Sequence, residues 1–201
     1  EAGGDLRRAI PVTRPPVVVP EFDVRKLLAH ALTDDDWSVQ GLGMARWYVP
    51  KELIKLPAGH SARLHVWHEA FKAQPTPTAL HTHPWDFASM VLYGQVEDVL
   101  YQRVKCEPFE MATMALNDDV SELYEERVIE CGPTPSEDVR KVGYVRLRGT
   151  KTTFTKGQTY AHLYDVIHES IVNDVSWITP PKTFGTVTLI IRRKVAGVSS
   201  E

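Results

Sequence analysis

The spacing of apolar positions changes along this chain. Between Pro20 and Trp37, Val24, Leu27, Leu28 and Leu32 recur at three- and four-residue intervals, which is the spacing of one helix face. Beyond that point the segments "LGMARWYVP" (42–50) and "SARLHVWHEAF" (61–71) are rich in β-branched and aromatic residues and predict strands. "KAQPTPT" is a loop, and the stretch from His81 to Tyr101 predicts two strands joined at Gly94. Further strands are predicted at "VGYVRLRG", "TTFTKG", "TYAHLYDVIHESIV" and "TVTLIIRRK". Many short strands separated by turn residues predict an all-β sandwich or barrel.

Two segments depart from this pattern. Residues 1–20 carry Pro11, Pro15, Pro16 and Pro20 and predict an extended arm, because proline lacks a donor and restricts its predecessor. Residues 105–140 contain the acidic run "NDDVSELYEERVIECG", with Asn117 or Asp118 as a helix N-cap and Gly132 as its stop. That run predicts a helical insertion in the strand pattern, either a lid over a pocket or, the preferred reading, a solvated surface helix. The predicted organisation is an N-terminal arm and short helix over 1–40, then one barrel over 41–195 with the helical segment 105–140 inserted. A chain of 201 residues is long enough for one such domain.

Composition narrows the class of function. At 43% hydrophobic and 24% charged residues the chain falls among soluble globular proteins. A net charge of −3 argues against a nucleic-acid partner, which asks for a basic face. No apolar run reaches the roughly 18–20 residues of a membrane span. Cys106 and Cys131 do not make a disulfide framework, so a reducing cytoplasm is the expected compartment, with their pairing the minority alternative.

The chemistry concentrates in "ALHTHPWDFASMVLYGQVED", Ala79 to Asp98. On a strand, His81 and His83 point the same way with Cβ atoms about 6–7 Å apart. Two imidazoles so placed can reach one metal ion at about 2.0–2.2 Å. The third ligand is expected from His168 in "YDVIHESIV", with His162 as reserve. On a straight strand these two would lie about 20 Å apart, so only one could serve. Phe87, Ser89 and Val91 share one face and could line the pocket, His65 sits on a neighbouring strand, and Tyr160 and Tyr164 offer phenolic hydroxyls. Tyr144, Arg146 and Arg148 share one face. Turned to a barrel lumen, the two arginines would suit a carboxylate or phosphate; the preferred reading turns Val145 and Leu147 to the core and the arginines to water. There is no GxSxG, phosphate-binding glycine loop or dinucleotide fingerprint.

His81-Thr82-His83, three residues, Phe87, six residues and Gly94 match the spacing of the first cupin motif, HxH, three or four residues, Glu, six residues, Gly. The wider string "HTHPWDFASMVLYGQVEDVLY" resembles a bacterial metal-binding cupin subgroup with an HxHPWxF-x-S-x-x-L-x-G signature. The segment from Tyr160 to His168, followed by "TVTLII", is similar to that subgroup's second motif. The resemblance covers roughly residues 60–104 and 150–193. It implies a single cupin-type double-stranded β-helix, a jelly-roll barrel, with a metal held by His81, His83 and His168. Two features depart from the family: Phe87 stands where a glutamate ligand is usual, and no proline–glycine turn precedes His168. Glu97, beyond Gly94, is a weak fourth candidate, while Asp86 should face the other way.

Three neutral imidazoles leave about three positions of an octahedral ion open and the full metal charge available to an anionic substrate. This is similar to the three-histidine arrangement of cupin dioxygenases. The expectation is a metal-dependent oxidoreductase, a non-heme Fe(II) oxygenase or dioxygenase acting on a small polar or anionic metabolite. Tyr164 and Glu97 are its catalytic candidates; His65, Phe87, Ser89, Arg146 and Tyr160 its substrate-binding ones. The alternatives are a zinc- or manganese-dependent isomerase, lyase or hydrolase, with Glu97, Glu169 or Tyr164 as base, and a ligand-binding cupin without turnover. The expected partners are a small-molecule substrate and a second copy in a homodimer, with no nucleic acid and no membrane.

Overall fold

Asp23 starts the only helix among the described residues. Its carboxylate accepts hydrogen bonds from the backbone of Arg25 (2.9 Å) and Lys26 (3.0 Å), donors that a first helical turn leaves unpaired. Helix α1 (Val24–Ala31) follows and buries Leu27 and Ala31. Leu32 falls at the C-cap and is 79% exposed, so the apolar stripe ends one turn sooner than its spacing predicts. The computed structural model describes residues 14–40, 42–72, 80–105, 123–129, 139–172 and 185–196.

Among the described residues ten strands build two antiparallel sheets. One has β1 (Trp37–Gln40), β2 (Leu42–Val49), β3 (His60–Lys72), β4 (Trp85–Tyr93), β8 (Thr159–His162) and β10 (Thr186–Lys194), in the order β1-β2-β3-β10-β4-β8. The other has β5 (Gln95–Arg103), β6 (Leu123–Ile129), β7 (Val139–Thr155) and β9 (Ile167–Ile171), in the order β6-β7-β5-β9. The chain passes from β4 in the first sheet to β5 in the second through Gly94, and from β8 back to β9 through residues 163–166. This is a jelly roll. No described helix is long and apolar enough to cross a membrane.

Gly94 is fixed at its turn by both conformation and space. Its φ is 74°, and a Cβ there would stand 2.5 Å from the carbonyl oxygen of Gly185 and 2.6 Å from Thr186 Oγ1.

The two faces of the six-stranded sheet differ. Trp47, Leu64, Leu189 and Ile191 point outward and pack with Leu27, Ala31 and Val17 in the main apolar core, under the helix and the extended arm. Each such leucine or isoleucine contributes roughly 1.5–3 kcal/mol by leaving water. The other face looks toward the second sheet and carries His65, Phe87 and Ser89, so polar chemistry gathers inside the barrel and the apolar core outside it.

The strand segments predicted at 42–50, 61–71, 81–101 and 186–194 fall on β2, β3, β4 with β5, and β10. Three expectations change. Residues 123–129, inside the predicted acidic helix, form strand β6, paired from Leu123↔Arg146 to Ile129↔Val139. Long-range pairing with β7 outweighs the helical preference of its glutamates. "VGYVRLRG" and "TTFTKG" are one continuous strand, β7. "TYAHLYDVIHESIV" is two strands in different sheets. The predicted boundary between residues 40 and 41 falls between β1 and β2, which pair, so the sheet already begins within 1–40. Cys106, Cys131 and the rest of residues 106–138 beyond β6 lie outside the described residues.

Candidate metal centre

His81 and His83 come just ahead of β4. His81 is tied to the second sheet by a two-way backbone bridge with His168: each N–H donates to the other's carbonyl at 3.0 Å. His83 N–H donates to the Tyr164 carbonyl at 3.2 Å. These bonds lock the HxH segment onto β9 and the turn that leads into it.

That turn is held from behind. The Asp86 carboxylate accepts from the Tyr164 backbone N–H (3.0 Å) and from Arg193 Nη2 (2.7 Å) and Nε (3.2 Å). Asp86 therefore faces away from the histidines, as its place on β4 requires, and acts as an anchor. Arg193 in turn donates to the Pro15 carbonyl (2.9 Å), which straps the arm to the same anchor.

The three histidines converge. Ring centroids are 4.6 Å apart for His81 and His83, 5.0 Å for His81 and His168, and 5.2 Å for His83 and His168. One ring nitrogen from each lies within 4.8 Å of the others. His83 Nε2 and His168 Nε2 are 3.1 Å apart. Two nitrogens bound to one ion at about 2.0–2.2 Å are separated by roughly 2.8–3.6 Å for octahedral to tetrahedral angles. The spacing fits a shared cation, and in its absence a hydrogen bond from His83 Nε2–H to the His168 Nε2 lone pair. Burial, and then the neighbouring His81 and His168, push His83 down to about 2, so it stays neutral and able to ligate.

Asp98 on β5 stands behind His168. Its Oδ1 lies 3.0 Å from His168 Nδ1 and its Oδ2 lies 2.7 Å from His162 Nε2. Burial works against its charge, but the hydrogen bonds from the two histidines outweigh it and hold the carboxyl below its ordinary range. An ionised acceptor requires the proton on His168 Nδ1, which leaves the Nε2 lone pair turned to the other ligands. Asp98, His162 and His168 are all buried and form a second close group of three.

His162 and His168 do not lie about 20 Å apart. Their ring centroids are 5.1 Å apart, because the chain reverses at residues 163–166 and carries them on two sheets. The sequence reading chose between them; the fold brings both to Asp98 and only His168 to His81 and His83.

The other predicted residues divide. Phe87 is central, its ring 5.2 Å from both His83 and His168 and 5.1 Å from His162. Ser89 and Tyr160 are direct cross-strand partners beside it, and burial pushes the Tyr160 phenol up. His65 is buried on the same inner face, neither ring nitrogen has a hydrogen-bond partner, and burial pushes it down to about 3. Glu97 alternates with Asp98 and so points away from the histidines, meeting Lys151 at 3.1 Å. Glu169 alternates with His168 in the same way and accepts from the Tyr101 hydroxyl at 3.1 Å. Tyr164 meets His83 through its backbone, while its ring lies under Arg14, whose guanidinium carbon is 5.6 Å from the ring centre. Arg146 lies six residues along β7 from Thr152, the cross-strand partner of Asp98, which at about 3.3 Å per residue places it about 20 Å from the centre. Asp98 was not anticipated. The signal was available, since counting alternate positions through the Gly94 turn distinguishes Asp98 from Glu97.

No family model matches the chain, and no curated protein matches it. Among solved structures, KdgF from Halomonas sp. is 11% identical, with 87% of this chain and 94% of that chain covered and a TM-score of 0.40. Hydroxypropylphosphonic acid epoxidase from S. wedmorenis is 7% identical at a TM-score of 0.36; 79% of this chain is covered, and it spans just over half, 56%, of the epoxidase chain. Fe(II)-HppE with the alternative substrate (S)-1-HPP matches with the same coverage at 8% identity and a TM-score of 0.36. These likenesses are weak, and the functional reading rests on the site's own geometry.

Proposed function

We propose that this protein is a metal-dependent cupin enzyme in which His81, His83 and His168 hold a divalent ion. We further propose that the ion is ferrous and that the enzyme oxygenates a small polar or anionic metabolite. The observation that carries the metal is the convergence of one ring nitrogen each from His81, His83 and His168 to within 4.8 Å of one another, with Asp98 fixing the proton on the far side of His168. A ferrous ion at three neutral imidazoles supplies Lewis acidity and one-electron chemistry toward dioxygen.

The protein's own part is positional. Phe87, packed on His83 and His168 in place of a fourth ligand, would give a bound ion an apolar neighbour. Ser89 and Tyr160 offer hydroxyls beside it, and the neutral Tyr160 phenol donates rather than accepts a proton. Among the described residues, the bases that would favour a zinc or manganese isomerase, lyase or hydrolase point elsewhere: Glu97 to Lys151, Glu169 to Tyr101, and the Tyr164 ring to Arg14. That distribution argues against these three groups as the base of such a reaction. Metal analysis of protein purified without added metal, with oxygen uptake measured over a panel of small acids, tests the reading. Bound iron and substrate-dependent uptake are expected. Bound zinc with no uptake for any acid would overturn the oxygenase assignment, and no stoichiometric metal at all would overturn the metal centre.

A further inference from the structure

Direct cross-strand partners share a face of a sheet, and here they align three arginines. Arg46 on β2 pairs with His65, Arg63 on β3 pairs with Ile190, and Arg192 on β10 pairs with Phe87, itself packed on His83 and His168. All three guanidiniums therefore stand on the inner face, the face of the histidine centre.

Their contacts among the described residues are neutral. Arg63 Nη2 donates to the Tyr48 hydroxyl (2.8 Å), Arg192 Nη2 to Ser61 Oγ (2.9 Å), and Arg46 Nε to Ser38 Oγ (3.3 Å). The guanidinium carbons of Arg192 and Arg63 lie 4.6 Å and 5.5 Å from the centre of the Trp85 ring. No described carboxylate forms an ion pair with any of the three. The Nε atoms of Arg63 and Arg192 are both buried and have no acceptor among the described residues. Like charges held together with unmet donors destabilise a fold unless something else compensates them. Burial, and then the Arg192 charge, push Arg63 down to about 10, the direction expected of a cation without a counter-ion.

The structure assigns to Arg46, Arg63 and Arg192 an oxyanion-binding subsite, and we infer that the substrate is a compact acid whose carboxylate or phosphoryl group they hold. Planar guanidiniums suit bidentate pairing with either group. Trp85 joins the two regions, since its ring also stacks on His83 at 5.1 Å and 20°. A molecule anchored on the arginines would present its other end to the metal ligands. The inference depends on the metal-centre reading for that second contact, and not for binding of the anion.

The test uses inorganic phosphate and malonate as probes, titrated calorimetrically into the full chain at constant ionic strength with chloride as reference. Metal-loaded and chelator-treated protein are both measured. One anion should bind per chain in both forms, and the tighter of the two probes identifies the head group. Arg192→Lys, which keeps the charge but loses the fork, should weaken binding at least tenfold, as should Arg63→Gln. The melting temperature of Arg63→Gln in chloride should equal or exceed that of the parent, because a buried repulsive charge is gone. If Arg63→Gln does not fold, Arg192→Lys alone decides. Binding unchanged in Arg192→Lys, or neither probe binding the parent better than chloride, would overturn the subsite. Anion binding without metal binding would overturn only the metal centre; metal binding without anion binding would overturn only the subsite.

Discussion

Asp98 faces His168 across 3.0 Å, Oδ1 to Nδ1, on the side of the imidazole opposite the Nε2 that meets His83. Such a pair fixes both the tautomer and the plane of a ligand ring, and losing it typically weakens metal affinity by about 10–100-fold. Asp98 also accepts from His162 at 2.7 Å, and an amide offers only one acceptor where the carboxylate serves two histidines. Asp98→Asn should therefore lower metal affinity by about that factor. His162→Ala should lower it less, because the bond from Asp98 to His168 survives. Competition titration with a fluorescent chelator measures both. A larger loss in His162→Ala than in Asp98→Asn would show that His162, and not the carboxylate, orders the site.

Phe87 occupies a place from which a carboxylate could reach an ion held by the three proposed ligands, its ring 5.2 Å from both His83 and His168. A glutamate side chain reaches about as far as that ring. Phe87→Glu should raise affinity for divalent metal about tenfold or more, since a charged oxygen ligand joins three neutral nitrogens. The same variant should melt lower than the parent when metal-free, because the carboxylate is then buried without a partner. Melting curves with and without metal test the pair of effects together; a variant unchanged in both would mean that position 87 does not face the ion.

Gly94 links β4 to β5 at a φ of 74°, where a methyl group would meet the Gly185 carbonyl oxygen at 2.5 Å. Backbone cannot move aside as a flexible side chain can. Gly94→Ala combines the left-handed penalty of about 1–2 kcal/mol with that clash, and should destabilise by about 2 kcal/mol or more. Urea unfolding measures it, and a loss below about 0.5 kcal/mol would show that the turn relaxes freely.

Much of the fold was legible because its signals were local. The apolar spacing of α1 and the β-branched and aromatic runs of β2 and β3 each lie within about ten residues, and only Thr82 separates His81 from His83. What was missed depends on distant groups. The reversal at residues 163–166 contains neither glycine nor proline, and its Tyr164 N–H is held by Asp86, which lies 78 positions earlier. Strand β6 contains good helix formers and becomes a strand by pairing with β7. Arg46, Arg63 and Arg192 are unremarked singly on three strands, and only the register of β2, β3 and β10 sums them into one cluster.

His65 gives the molecule a pH dependence that can be isolated. Its imidazole is buried beside Trp67, neither nitrogen has a partner, and burial followed by the charges of Arg63, Arg46 and Arg192 pushes it down to about 3. An unfolded chain protonates this histidine below about pH 6.5. The folded chain resists until about pH 3, so between those values the unfolded state binds the extra proton. Stability is fully present above pH 6.5 and falls as pH drops through the window, by up to about 1.4 kcal/mol per unit. Asp98 acts in the same direction only below its ordinary carboxylate range, which leaves pH 6.5 to 4.5 to the histidines. His83 shares that window, so the comparison has to be between His65→Gln and the parent, both metal-free. The glutamine variant should start less stable at pH 7, since its buried amide lacks partners, yet lose less stability by pH 4.5. Urea midpoints at the two pH values give the difference. Parallel losses in parent and variant would mean that His65 takes up its proton in the folded state without penalty, which is incompatible with a buried, unpartnered ring on the arginine face.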